Sequence, residues 1–169
     1  MPYNIVTIVF GKIISLSKNN ELINFDERIP SNDFERIKVA FDTNPQLNRY
    51  SSRIMRKYYS TDCVRIVEKG GKLVDQYKIV KQNIKFIQSD IIDKYILFEE
   101  RSKKEIDSNT KERDLILEQE IVSYHLLQYP DVQFDFIKEN DIHKICVIVC
   151  CSNDTDLKEC VTMMEKFFK

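Results

Sequence analysis

Apolar and polar positions alternate in short runs over most of the chain, and only a few stretches repeat at helical spacing. The first run, Asn4-Ile5-Val6-Thr7-Ile8-Val9-Phe10, predicts a strand at 4–10. Both of its faces are apolar: Ile5, Thr7 and Val9 on one, Val6, Ile8 and Phe10 on the other. A second strand is expected at 12–16, and Leu22-Ile23-Asn24-Phe25 reads as a further short one. Asn32 and Glu35 have capping-box spacing at the head of a helix whose buried stripe is Phe34, Ile37 and Phe41, ended by Asn44-Pro45. Leu47, Tyr50, Ile54 and Tyr58 are near helical spacing, which predicts a second helix over 46–58.

The middle of the chain reads as strands at 63–67, 73–80, 83–88 and 93–101. Gly70-Gly71 between the first two provides the positive φ of a tight hairpin. Residues 102–112 read as a polar loop with its tip at 107–110, and 113–128 fits a strand or a helix. Val132, Phe134 and Phe136 alternate with Gln133, Asp135 and Ile137, and a fully apolar strand follows at 145–150. Asp156 and Glu159 open a last helix with Leu157, Val161, Met164 and Phe168 on its inner face. The order predicts one α+β domain over 1–169: a closed or nearly closed antiparallel β-barrel, inserted helices and a C-terminal helix.

Composition narrows the functional classes. The net charge of −1 gives no global attraction for nucleic acid or an anionic membrane. No apolar run is long enough to span a bilayer as a helix, and Met1-Pro2-Tyr3-Asn4 lacks a basic leader. Five cysteines without framework spacing fit reduced thiols in the cytoplasm. Zinc is not expected, because no C-x-x-C pair occurs and His125 and His143 are far apart in the sequence. Ser123 and His125 flank Tyr124 without a nucleophile elbow, and Cys151 near His143 lacks an activating environment. The abundance of Ile, Lys, Asn and Asp fits an AT-rich coding sequence, viral or protist.

Several segments resemble the triphosphate tunnel family, in particular the metal-dependent mRNA 5′-triphosphatases of fungi and large DNA viruses. Val9-Phe10-Gly11-Lys12-Ile13 is similar to the aromatic-Gly ending of the family's first strand. Phe25 with Asp33-Phe34-Glu35-Arg36 resembles its Phe followed by a small helix. Tyr59 to Lys81, through Arg65, Gly70-Gly71 and Lys78, resembles its Arg strand, Gly turn and lysine-rich strand. Lys94 to Glu100 resembles a strand with Arg at one end and Glu at the other, and Gln133-Phe134-Asp135-Phe136 an apolar-Asp-apolar strand. By this resemblance, Arg65, Lys78, Lys94, Glu100 and Asp135 are the candidate remnants of a phosphate or metal site.

The resemblance also implies paired carboxylates on the first and last strands, holding Mn²⁺ or Mg²⁺ against the γ-phosphate. Here Ile5, Thr7, Val147 and Val149 occupy those regions, and none is an anionic ligand. With both faces apolar, the tunnel is expected to be closed, plugged or collapsed around hydrocarbon. The resulting expectation is a non-catalytic scaffold or interaction subunit without a cofactor, its partner a protein of the transcription or mRNA-capping machinery. Two alternatives stand beside it. One is a Mn²⁺- or Mg²⁺-dependent RNA 5′-triphosphatase. The other is an RNA-binding module that uses Lys78, Lys81 and Lys85 with Tyr77 and Phe86.

Overall fold

A computed structural model describes residues 2–16, 23–60, 63–103, 115–150 and 154–169. Nine strands and two helices follow in the order β1 (Pro2–Leu16), β2 (Ile23–Asp26), α1 (Ser31–Thr43), β3 (Leu47–Tyr59), β4 (Val64–Glu68), β5 (Leu73–Ile87), β6 (Asp93–Lys103), β7 (Leu115–Leu126), β8 (Tyr129–Glu139), β9 (Ile142–Cys150) and α2 (Asp154–Phe168). All pairings are antiparallel, in the ring β1-β6-β5-β4-β3-β7-β8-β9, and β9 returns to β1 to close the barrel. β2 lies outside the ring, on the far end of β1.

Several expectations change. The predicted strands 4–10 and 12–16 are one strand, β1, with an irregularity between Ile13 and Ser15. Strands 73–80 and 83–88 are likewise one strand, β5, with a bulge between Ile79 and Lys81. The helix expected at 46–58 is β3, paired with β7 along its length. A register shift between Arg49 and Ser51 resets the alternation there and mimics helical spacing. The ambiguous segment is β7. Helix α1 begins two residues earlier than its Asn32 cap would set, with Pro30 at the N-cap and no side-chain cap bond. The loop tip at 107–110 lies outside the described residues, as do the side chains of Asp156 and Leu157.

The larger apolar core lies outside the barrel, beneath the helices. Val6, Ile8 and Phe10 of β1, Phe134 and Phe136 of β8, and Val147 and Val149 of β9 pack with Phe34, Ile37 and Phe41 of α1 and Cys160 and Met164 of α2. Phe41 meets the rings of Tyr124, Phe134 and Phe136 within 5.5 Å, and Phe168 of α2 lies 5.4 Å from Phe10. A smaller cluster of Val9, Met55, Ile121, Ile137 and Cys146 lies inside the ring, with Phe25, Ile66 and Tyr95 against it. Strand parity explains both cores. An apolar strand face turned to the helices loses water as fully as one turned to the lumen, so β1 and β9 are apolar on both sides without filling the tunnel.

Gly11 shapes one end of the barrel. A Cβ there would stand 2.2 Å from the Asp26 carbonyl oxygen and 2.7 Å from the Phe25 ring. The missing side chain lets β2 fold Phe25 against Tyr95 and Phe86, at centroid distances of 5.0 and 6.1 Å. Gly11→Ala is expected to cost about 2–3 kcal/mol, since the obstacle is backbone and a packed ring. Urea denaturation checks it.

Candidate functional site

The lumen is the natural place for a site, and strand register identifies its lining. Where β1 and β9 meet, Ile5, Thr7 and Val9 stand opposite Cys150, Ile148 and Cys146. Val147 and Val149, expected at the ligand positions, instead point outward into the helix core. The substitution of ligands still holds on the true lumen face, because Cys146, Ile148 and Cys150 carry no carboxylate.

The lumen is not filled with hydrocarbon, and this corrects the sequence expectation. Charged side chains of both signs line it or its mouth, among them Arg53, Lys57, Arg101 and Lys144, and Glu27, Glu99, Asp135 and Glu139. Lys144 Nζ lies 2.7 Å from Glu139 and 2.9 Å from Glu27. Burial pulls its pKa down, but the two carboxylates outweigh burial and raise it. Gln119 Nε2 donates to the same Glu139 at 2.7 Å. Arg101 bonds Glu99 at 2.7 Å and stacks over Tyr77 at 4.0 Å. Ser123 Oγ and Gln133 Nε2 donate to Asp135 at 2.7 and 2.8 Å, and Arg53 donates to Ser123 at 2.8 Å.

Burial holds the Lys57 pKa below that of an ordinary lysine, against the opposing pull of Asp135 and Glu139. Burial, aided by Asp135, pushes the Cys146 thiol up to about 12, so it is an inert packing group. Arg101 Nε and Gln119 Oε1 are buried without a hydrogen-bond partner among the described residues.

Of the five candidate residues, Asp135 alone faces the lumen. Lys94 lies on the outer wall, paired with Glu165 of α2 at 2.6 Å and with 3% of its side chain exposed. It borders a cleft of about 1000 Å³ between α2 and the β5–β6 wall. Glu100 and Lys78 are on the same outer face, across from Lys81 and Ser102. Arg65 is on the face of β4 opposite Val64 and Ile66, across from Tyr58 and Gln76. The five therefore do not form one site. The lumen residues that the pattern did not single out are Arg53, Lys57, Glu99, Arg101, Gln119, Glu139 and Lys144. Ser123, considered only as a nucleophile, anchors Arg53 and Asp135. Cys151, the other nucleophile considered, lies outside the described residues.

No protein-family model and no curated protein matches the sequence. Solved structures do match. The S. pombe Pct1 RNA triphosphatase superposes with a TM-score of 0.65 at 14% identity, over 89% of this chain and 71% of that one. The same triphosphatase in complex with the Spt5 CTD gives 0.63 at 12% identity, over 97% and 77%. The Mimivirus capping enzyme triphosphatase gives 0.58 at 10% identity, over 98% and 89%. The chain thus has the triphosphate-tunnel fold of the fungal and Mimivirus RNA triphosphatases.

Among the described residues, the lumen does not present the carboxylate cage that the family resemblance implies for Mn²⁺ or Mg²⁺. A hard cation needs several anionic oxygens converging on one point, and no metal-holding group of three or more His, Cys, Asp or Glu exists among the described residues. Glu99, Glu139 and Asp135 are each committed to a cation or a donor of their own. Among the described residues, no helix is long and apolar enough to cross a membrane.

Proposed function

We propose that this chain is a non-catalytic triphosphate-tunnel domain that serves as a protein-interaction subunit of mRNA-capping or transcription machinery. The observation that carries this reading is the make-up of the β1–β9 seam. The lumen faces of β1 and β9 offer aliphatic, hydroxyl and thiol side chains where paired carboxylates would be needed. Arg101 pairs with Glu99 and Lys144 with Glu139, while Asp135 accepts from Ser123 and Gln133, so these groups bind one another instead of converging on an ion. A rigid closed sheet keeps its value as a scaffold without its interior chemistry. The partner assignment draws on the fold neighbours, one of which is a triphosphatase in complex with the Spt5 CTD.

The test is release of phosphate from 5′-triphosphorylated RNA and from nucleoside triphosphates, with and without Mn²⁺. The expected result is no release above buffer with either substrate. Manganese-dependent release that disappears in Glu99→Gln or Glu139→Gln would show a working triphosphatase and overturn the proposal.

A further inference from the structure

Strand β5 is unevenly covered. Residues 73–77 pair with β4 on one side, while 77–87 pair with β6 on the other. From 79 to 87, no described strand pairs with the second edge. Every side chain from Val80 to Lys85 is exposed, on both faces of the strand, and Val80 and Ile84 are each 46% exposed. A strand that shows water its backbone donors and acceptors, together with bare β-branched side chains, is a template for one more strand.

The charges select what can add. Beyond the bulge at Val80, Lys81, Asn83 and Lys85 share the outer face with Phe98, while Gln82, Ile84 and Phe86 share the lumen side with Leu97 and Tyr95. Lys78, Lys81 and Lys85 are exposed, and none has an ion pair among the described residues. Glu100, across from Lys81, is the adjoining acid. A second copy of this edge would set lysine against lysine, so self-pairing is disfavoured. A free edge also reads a peptide backbone, which a nucleic acid does not supply.

We propose that the 79–87 edge of β5 is a docking site for an extended acidic segment of a partner protein, which adds to the barrel wall as a further strand. Period-two geometry fixes the pattern of that segment. Acidic residues four apart lie opposite Lys81 and Lys85, and a β-branched or aromatic residue between them lies opposite Ile84. This deepens the interaction reading above by naming a surface and a partner chemistry. The edge lies apart from the tunnel chemistry, so the phosphate-release assay and the binding experiment below can fail independently.

The experiment uses the full chain and fluorescein-labelled peptides of about ten residues, the span of a strand edge. One peptide alternates Glu with Val so that all acids share a face. A second has the same composition, scrambled. Two others carry the first sequence with N-methylation at one or the other set of alternate residues. Anisotropy should show the patterned peptide binding at least tenfold tighter than the scrambled one, and methylation of one set should abolish binding. Lys81→Glu with Lys85→Glu should weaken it at least tenfold while circular dichroism and thermal midpoint stay at wild-type values. Hydrogen exchange should slow at amides within 79–87 when the peptide is added. Equal binding of all peptides, no binding of the patterned peptide, no protection at 79–87, or preferred binding of single-stranded RNA through the same lysines would each overturn the proposal.

Discussion

Glu165→Ala is expected to destabilise the protein by about 3 kcal/mol, more than Lys94→Met at the other end of the same ion pair. Lys94 Nζ is 2.6 Å from Glu165, and its side chain is 3% exposed against 23% for the glutamate. Around the pair stand Ile87, Ile96 and Val161. Removing the acid leaves a nearly buried ammonium beneath α2 without its counter-ion. Removing the lysine leaves a carboxylate that already reaches water. The double variant Lys94→Met with Glu165→Leu should return close to wild-type stability, because no charge is then stranded. Urea denaturation of the four proteins checks this, and additive losses in the double variant would contradict it.

Glu139→Ala is expected to be the most damaging change inside the barrel, at about 3–5 kcal/mol. Its carboxylate accepts from Lys144 at 2.7 Å and from Gln119 at 2.7 Å. Without it, Gln119 loses its amide partner while its carbonyl oxygen already has none among the described residues. Lys144 keeps only Glu27, which is 37% exposed and screened. Glu139→Gln should cost less, since it still accepts one hydrogen bond. Glu27→Ala should cost below about 1 kcal/mol, because half-exposed pairs contribute little. Thermal midpoints and urea curves rank the three, and a loss from Glu27→Ala equal to that from Glu139→Ala would contradict the ranking.

These two pairs also mark what the sequence revealed. The barrel class, the closing helix, the Gly70-Gly71 turn and the Phe34, Ile37, Phe41 stripe were legible, because each follows from local period or local backbone freedom. Period alone did not distinguish lumen from outer wall. An apolar strand face packs equally well against helices or against the opposite wall, and only the closed topology decides which. That is why Val147 and Val149 stood for lumen positions when Cys146 and Ile148 hold them. It is also why Lys94, read as a candidate remnant of a phosphate or metal site, stands on the outer wall paired with Glu165 of α2.

Arg53 and Lys57 were hidden for a different reason. The bulge at Tyr50 broke the alternation of β3, so its apolar residues fell near helical spacing. The signal that would have found them is the odd-numbered run Arg53, Met55, Lys57, Tyr59, which alternates with period two. The hairpin at Asn140-Asp141, both at positive φ, was similarly readable from residue types that tolerate that region. The most distant internal ion pair was not readable at all. The Lys144–Glu27 pair forms between segments that only the closed topology brings together, β9 and the residue just beyond β2, whereas Arg101–Glu99 lies within β6 and Lys144–Glu139 spans the β8–β9 hairpin.

The central claim is that this tunnel has no anionic cage for a divalent ion, and the free-Mn²⁺ electron paramagnetic resonance signal measures that directly. Titrating the full chain into micromolar Mn²⁺ should leave the signal at its buffer value. Withdrawal of one ion per chain, reversed by Glu139→Gln or Asp135→Asn, would contradict the account.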